Sequence, residues 1–293
     1  MLELETHAMG STVRVLLESD PLGVLSRVVR WFERWEQIFS RFRPDSELSR
    51  LNARGTARVS EELFEVLSRA VAVARESDGL VTPMVLPALL AAGYTKSFEL
   101  LSDEGEERRV AVADVSSVEL DVERRVVKLG AAVDLSGFVK GWAADRAARV
   151  LGRSGPVLVD VGGDIAVSGA PFRIAVDHPD GSTISELELA AGGIATSGRD
   201  HRTWRGGAAH HLIDPTTGAW VVGNIETASA VAADATGADL AAKTLFLSVS
   251  RQQRPLLGSA SLGITIDDRG AGTIWNTDDH HHAEVVPLIV RAS

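Results

Sequence analysis

The stretch DLSGFVKGWAADRAARVLGRSGPVLVDVGGD, residues 134–164, decides the predicted fold. It predicts an apolar helix that begins in the turn around Gly137 and ends at the Gly152 to Pro156 breaker. A strand follows and ends in the glycine pair at 162–163. The helix start, its Lys140 and the glycine turn together outline a site for an anion.

The anion hypothesis rests on local physical chemistry. A helix start offers unpaired N–H groups and the positive end of a dipole, and Lys140 in the first turn adds a mobile charge. The glycines at 162 and 163 would let a ligand approach the backbone. Taken alone, the pair is a simple turn and Lys140 a solvated helix residue, because patterns this short recur by chance. Other parts of the chain have to decide between these interpretations.

Composition narrows the classes of protein to consider. The chain has 293 residues, 45% hydrophobic and 24% charged, which is typical of a folded protein with one large domain or two packed ones. A net charge of −10 argues against nucleic-acid and anionic membrane partners. No cysteine is present, which excludes disulfides, thiolate metal sites and a lipid-modified cysteine. The first residues lack a signal-peptide pattern and there is no apolar run of about 18 residues, so we expect a cytoplasmic protein without membrane insertion.

The predicted elements are segregated in runs, which favours an α+β fold over strict alternation. Apolar spacing predicts a long amphipathic helix, and Ser60 is expected to cap a second one. After Asp164, short strands separated by turn residues dominate. The amphipathic helix is predicted over 22–42. The remaining predictions are a hairpin of 115–120 with 126–129, a helix over 237–248 and a short helix over 251–257.

Blocks spread over most of the chain resemble the ApbE family, the FAD:protein FMN transferases. The block from 134 is close to the family pattern D-L-G-G-I-A-K-G-x-A-x-D. The other blocks, in order, are Met9-Gly10-Ser11, FSRFRPDSELSRLN (39–52), LVDVGGDI (158–165), ATSG (195–198), HLIDPTTG (211–218) and ADLAAKTLF (238–246).

The resemblance implies a single domain over residues 1–293 with an α+β, T-fold-like architecture. Mixed and antiparallel sheets with packed helices would form two intimately packed halves, with a ligand cleft between them. It implies an enzyme that binds FAD with Mg²⁺ and cuts the pyrophosphate. FMN would then be attached by a phosphoester bond to a threonine of a target flavoprotein, and AMP would be released. If water were the acceptor at the same site, the protein would be an FAD pyrophosphatase that yields FMN and AMP. If the site had lost catalysis, the protein would be a flavin-binding or carrier protein.

The resemblance also gives residues their roles. Lys140, the helix start and the two glycine amides would neutralise the pyrophosphate. Asp145 and Asp164 would orient the adenosine or the cation. Ser197 and Gly198 in ATSG would form the turn that contacts the flavin or a phosphate, although these four residues by themselves are nearly as well explained by a plain β-turn. The expected FAD-binding residues are Met9, Asp134, Lys140, Asp145, Gly162, Gly163, Asp164, Ser197 and Gly198.

His211 is the candidate general base for the acceptor hydroxyl, because an imidazole titrates near working pH. Asp214 would orient it or a metal-bound water. His210 should point to the opposite face of the same strand and be exposed. Tyr94 is the only tyrosine available to stack on a flavin. The three arginines of the 39–52 block could meet an anion, but each one by itself is better interpreted as a solvated loop charge.

Asp239 is the expected Mg²⁺ ligand, assisted by the backbone carbonyl of Val139. The family usually has a threonine four residues after this aspartate, where this chain has Lys243, and an ammonium has no lone pair to give a cation. Lys243 either supplies a built-in charge near the pyrophosphate or Asp239, or points elsewhere and leaves Mg²⁺ to Asp239, a carbonyl and waters. Asp278 to His282 is predicted to be a solvated segment despite its ligand-type side chains.

Overall fold

The computed structural model describes residues 1–101, 109–199, 202–204, 209–276, 283–284 and 289–291. The chain forms two compact units, each assembled from separate segments. Unit 1 contains Met1–Phe32, Lys140–Asp200 and Gly223–Ser293, and unit 2 contains Glu33–Val139 and His201–Val222. The segment Asp278 to His282 lies outside the described residues.

Helices and strands are both well represented, which confirms the α+β prediction. The helices described are α1 (Val28–Phe39), α2 (Glu47–Arg54), α3 (Glu61–Glu76), α4 (Leu86–Ala91), α5 (Val139–Leu151) and α6 (Ala235–Ser250). The strands are β1 (Leu2–Ala8), β2 (Ser11–Leu17), β3 (Thr56–Arg58), β4 (Glu119–Asp121), β5 (Val126–Lys128), β6 (Val157–Val161), β7 (Asp164–Ser168), β8 (Phe172–Asp177), β9 (Thr183–Leu189), β10 (Gly192–Gly198), β11 (Thr203–Trp204), β12 (Ala209–His210), β13 (Ile213–Asp214), β14 (Ala219–Trp220), β15 (Ile225–Ala232), β16 (Ala260–Asp267), β17 (Gly272–Asn276), β18 (Ala283–Glu284) and β19 (Ile289–Arg291).

Unit 1 is organised around an antiparallel sheet in the order β1-β2-β6-β7-β10-β15-β16-β17-β18. Side chains alternate between the two faces of a strand, so neighbouring residues of β10 serve different layers. Ala195 faces α6, where alanines on both elements allow close packing. Ile194 belongs instead to an apolar core shared with the smaller sheet β19-β9-β8. The large sheet is therefore covered by a helix on one face and by a second sheet on the other.

Unit 2 contains α2, α3 and α4 with small sheets. Ser60 caps α3 as predicted, since its Oγ accepts a hydrogen bond from Leu63 N at 3.3 Å. The predicted hairpin is also confirmed, because β4 and β5 pair in antiparallel register. An aromatic cluster packs with α4 and the β11 to β14 region.

Several predicted elements differ from the structure. The helix expected over 22–42 is shorter, because a 3-10 turn at Leu25–Arg27 precedes α1. The short helix expected over 251–257 is wrong; Gln252 adopts a φ of 56° and Pro255 cannot donate a helical hydrogen bond. The plain turn considered for ATSG is also wrong, since these residues end strand β10.

Candidate functional site

Two tight turns lie side by side at one end of the large sheet of unit 1. Met9 and Gly10 connect β1 to β2 with φ values of 55° and 63°, and Gly162 and Gly163 connect β6 to β7 with 61° and 91°. Strands β2 and β6 are paired neighbours, which brings the turns together. A Cβ on Gly162 would lie only 2.6 Å from Ser11 Oγ. Both the left-handed backbone and the close approach therefore require glycine at 162.

The amides of this second turn are used within the unit. Gly162 N donates to Thr12 O at 3.0 Å, and Gly163 N donates to Asp160 Oδ1 at 2.8 Å. Burial raises the pKa of Asp160, and the bond from Gly163 and the charges of Lys140 and Arg14 act in the opposite direction. Asp160 thus fixes the turn, and the two amides assigned to phosphate by the sequence prediction already have acceptors.

Asp164 follows the glycine turn and is fully buried. Lys140 Nζ, in the first turn of α5 as predicted, lies 2.7 Å from Asp164 Oδ2. Burial raises the pKa of Asp164 to about 6, repulsion from Asp239 adds to the rise, and the charges of Lys140 and Lys243 oppose it. The four charged groups therefore act on one another as a single electrostatic unit.

The remaining pair of this set lies on α6, four residues apart on one helix face. Lys243 Nζ contacts Asp239 Oδ1. Asp239 is buried, and its Oδ2 has no hydrogen-bond partner among the described residues. We name Lys140, Asp164, Asp239 and Lys243 the lysine–aspartate cluster. Of the two arrangements considered for Lys243, the structure has the one in which the ammonium lies against Asp239.

Asp145 joins the two helices that carry the lysines of the cluster. Its Oδ1 accepts from Ala235 N at 2.8 Å, and its Oδ2 accepts from Thr236 N at 2.9 Å and Thr236 Oγ1 at 2.5 Å. These are the first residues of α6, so the carboxylate satisfies unpaired donors at a helix start. Burial raises the pKa of Asp145, and these hydrogen bonds oppose the rise. Asp145, expected to orient the ligand, here orients α6.

A second contact holds the same helices together. A Cβ added to Gly141 would lie 2.5 Å from Ala235 O. Because Gly141 follows Lys140 directly, this close approach and the Asp145 contacts set the position of Lys140 relative to α6. Sequence reasoning did not identify Thr236 or Gly141; the glycine after the lysine is the signal that could have suggested a close helix contact.

Ser197 and Gly198 lie at the same end of the sheet as the glycine turns. Strand β10 pairs with β7 from Gly192 opposite Val167 to Ile194 opposite Ile165, so its later residues extend past Asp164. Ser197 is buried and pairs with Ala228 of β15. Two of the predicted FAD-binding residues, Lys140 and Asp164, belong to the lysine–aspartate cluster. The structure groups five others with this cluster in unit 1: Met9, Gly162, Gly163, Ser197 and Gly198.

In unit 2, Asp134 is held in a buried ion pair that the sequence did not predict. Arg41 Nε lies 2.6 Å from Asp134 Oδ2, and the two side chains are only 4% and 5% exposed. Asp134 Oδ1 also accepts from Ser136 N at 2.7 Å. The interpretation of Arg41 as a solvated loop charge is wrong. Through the hydrogen bond from Ser136 N, Asp134 fixes the backbone of the segment that leads into α5.

The ring of Tyr94 is already surrounded. The guanidinium of Arg41 lies 4.5 Å from its centroid, and the rings of Trp204 and Phe42 lie at 5.4 and 5.6 Å. Tyr94 is 6% exposed. Stacking on a flavin would require this packing to open, so the structure favours a core role for Tyr94 in unit 2.

The two histidines near β12 lie in different environments. His210 is buried, its Nε2 lies 2.8 Å from Val221 O, and Nδ1 accepts from Leu212 N at 3.3 Å. The prediction of an exposed His210 is therefore wrong. His211 is half-buried and lies in the bend after β12.

Asp214, the predicted partner of His211, organises its own turn. Its Oδ1 accepts from Thr216 N at 2.8 Å, and its carbonyl accepts from Gly218 N at 2.9 Å. This is the local side-chain bonding that favours aspartate in turns. Val139, the predicted carbonyl ligand, is buried at the start of α5. Both residues belong to unit 2, as do Asp134 and His211.

Comparison with known proteins connects this geometry to a family. The sequence model of the ApbE family matches residues 9–264. The chain belongs to the ApbE family. This ApbE family member is 28% identical over 245 residues to the FAD:protein FMN transferase of Vibrio cholerae, covering 74% of this chain and 72% of that protein. It is 25% identical over 227 residues to the enzyme of the same name from Escherichia coli, covering 70% of this chain and 65% of that protein.

Solved structures of ApbE proteins share the fold. The ApbE protein of Thermotoga maritima superposes with a TM-score of 0.80 at 25% identity, covering 94% of this chain and 97% of that one. The flavin transferase ApbE of Vibrio cholerae gives a TM-score of 0.74 at 22% identity, covering 94% and 96%. Within the described residues, this ApbE family member has no helix long and apolar enough to cross a membrane.

Proposed function

We propose that this protein is an FAD:protein FMN transferase. Cleavage of the FAD pyrophosphate would release AMP, and the FMN phosphorus would form a phosphoester with a threonine hydroxyl of a target flavoprotein. The hydroxyl proton leaves as the new P–O bond forms and the bond to the AMP phosphate breaks. Family membership and the names of the relatives support this reaction.

The observation that carries the proposal is the lysine–aspartate cluster beside the glycine turns of unit 1. Two ammonium groups, held in place by buried carboxylates, can offer N–H donors to an anion in a protein of net charge −10. Phosphoryl transfer depends mostly on positioning and charge neutralisation, which such a site supplies. Asp164 and Asp239 would hold the lysines in place, and Asp145 would position α6.

His211 as general base, with Asp214 as its partner, stays a prediction from the family resemblance. A base near working pH would accept the threonine proton. Location in the cytoplasm likewise stays a prediction from the sequence.

Magnesium is the cation that the resemblance implies. Two buried carboxylate oxygens, Asp239 Oδ2 and Asp164 Oδ1, have no hydrogen-bond partner among the described residues and are of the type that Mg²⁺ prefers. However, Lys243 lies against the other oxygen of Asp239, and Lys140 lies against Asp164. Among the described residues there is no group of three or more His, Cys, Asp or Glu side chains suited to a metal ion. As arranged, these residues do not fit a divalent ion.

The test is incubation of the protein with FAD and a candidate target flavoprotein, with matched samples lacking the target. Transferase activity would make the target fluorescent under flavin illumination after denaturing electrophoresis, with AMP released in equal amount. Replacing the acceptor threonine of the target by valine should abolish labelling. FMN and AMP formed without target would indicate a pyrophosphatase, and unchanged FAD in every sample would contradict both enzymatic activities.

A further inference from the structure

The lysine–aspartate cluster exposes its cations and buries its anions. The side chains of Lys140 and Lys243 are 14% and 13% exposed, whereas those of Asp164 and Asp239 are 0% and 2% exposed. A ligand that reaches the cluster therefore meets ammonium groups first. A metal ion bound to both oxygens of Asp239 would have to displace the ammonium of Lys243 from Oδ1.

Within the part of the chain that the structure describes, the two lysines do not use all of their N–H donors. An ammonium carries three N–H groups. Lys140 directs one toward Asp164, and Lys243 is within reach of both the carboxylate and the backbone oxygen of Asp239. The remaining N–H groups suit the oxygens of an anion, which accept charge-assisted hydrogen bonds.

The formal charges of the cluster also favour an anion over a divalent cation. The cluster pairs two acidic with two basic side chains, whose formal charges sum to zero, so it needs no further cation. A divalent ion at Asp239 would face both ammonium groups at short range. The oxygens of a pyrophosphate can instead accept charge-assisted hydrogen bonds from the two ammonium groups.

Lys243 is held where it can serve this purpose. It lies four residues after Asp239 on α6, so helix geometry places it on the same face. The start of α6 is fixed by Asp145 and by the close approach of Gly141. The ammonium is therefore positioned by the fold and does not depend on binding from solution.

We propose that Lys243 is the resident cation of this site. Its ammonium takes the place of a metal ion at Asp239 and donates hydrogen bonds to the pyrophosphate of the substrate. The protein therefore binds divalent ions weakly and binds the pyrophosphate group without them. The identity of the anion as FAD rests on the proposed function. The occupation of Asp239 by Lys243 does not.

The first test measures Mn²⁺ binding to the ligand-free protein by the electron paramagnetic resonance signal of free Mn²⁺. The natural protein is expected to leave Mn²⁺ unbound up to about 1 mM, the range of weak oxygen sites. Lys243→Ala frees Asp239 Oδ1 and should tighten Mn²⁺ binding at least about tenfold, because removing one nearby positive charge is worth that much. Lys243→Arg, which keeps the charge, should behave as the natural protein does.

The matched control is Lys128→Ala, which removes a lysine from an exposed pair with Glu119 in unit 2. It should leave Mn²⁺ binding unchanged. Circular dichroism checks folding of each variant, and Lys243→Gln replaces Lys243→Ala if the latter does not fold. Micromolar Mn²⁺ binding by the natural protein, or binding that is equal in the natural protein and the folded variant, would overturn the proposal.

The second test measures FAD binding in EDTA by quenching of flavin fluorescence, with inorganic pyrophosphate measured in parallel by calorimetry. FAD should bind to the natural protein, and Lys243→Ala should weaken binding about tenfold. Loss of both FAD and pyrophosphate binding in EDTA would overturn the resident-cation proposal. Pyrophosphate binding without FAD binding would support the resident cation and count against the proposed function, so the two failures are distinguishable.

Discussion

Asp145→Ala is expected to destabilise the protein strongly, because Asp145 holds the start of α6. The carboxylate accepts hydrogen bonds from two backbone amides and one hydroxyl at the start of α6. Alanine would leave those donors without an acceptor in a half-buried place. The cause is loss of a helix cap that comes from a distant part of the chain.

The size of the effect follows from those contacts. Losing a helix cap costs about 1 kcal/mol, and each hydrogen bond to a charged acceptor is worth about 1.5–3 kcal/mol. Burial of the carboxylate, which raises the pKa of Asp145, offsets part of the sum. We expect a net loss of about 3 kcal/mol, which for a chain of this size lowers Tm by about 6 °C.

Two further substitutions divide the effect. Asp145→Asn keeps one acceptor oxygen and should cost less than alanine. Thr236→Val removes only the hydroxyl donor and should cost about 1 kcal/mol. Glu3→Ala, which breaks an exposed ion pair with Arg14 in unit 1, is the matched control and should stay within about 0.5 kcal/mol. Guanidinium unfolding and thermal melts measure all four variants, and the reasoning fails if Asp145→Ala is no more destabilising than Glu3→Ala.

Two other substitutions and one pH dependence test further residues. Gly162→Ala should cost about 2–3 kcal/mol in thermal melts, because its Cβ would lie 2.6 Å from Ser11 Oγ at a φ of +61°. Burial raises the pKa of Asp164 from 3.8 to about 6, so the protonated carboxyl stabilises the folded protein. This contribution is full below pH 3.8 and is lost as the pH rises through about 6. The free energy of unfolding in urea should therefore fall by up to about 3 kcal/mol over that range. Arg41→Lys should lose about 2–4 kcal/mol in urea unfolding, because lysine cannot both pair with Asp134 and stack on the aromatic rings.

Each of these expectations has a direct control. Gly163→Ala has nothing within 4 Å of the new Cβ and should cost less than Gly162→Ala. Asp164→Asn should flatten the pH dependence between pH 4 and 7, and a slope equal to that of the natural protein would contradict the argument. Arg43→Lys, at an arginine side chain that is 46% exposed, should be nearly neutral.

The parts of the site that the sequence predicted correctly depend on local physics. Lys140 in a first helical turn and Ser60 at a helix start are decided by residues within one turn. The glycine pair at 162–163 was identified as a turn, and the positive φ values explain why glycine is needed there. The α+β class followed from segregated runs of periodicity.

The parts that it missed depend on contacts between distant residues. Asp145 and Thr236 are 91 positions apart, and nothing near Asp145 indicates that a helix start will meet it. Arg41 is buried because Tyr94 and Asp134 surround it, whereas its local sequence is polar and typical of a loop. Strand β10 begins at two glycines that favour a turn, and pairing with β7 and β15 overrides that preference.

The long separation between Asp145 and α6 has a consequence for biosynthesis. On the ribosome, Asp145 and Asp164 are made well before the helix that completes their surroundings. Until that helix arrives, their carboxylates would be costly to bury, so the centre of the large sheet should close only after the segment beyond residue 235 has been made. Nascent chains stalled before that segment should remain sensitive to protease in unit 1, and those extended past α6 should become resistant.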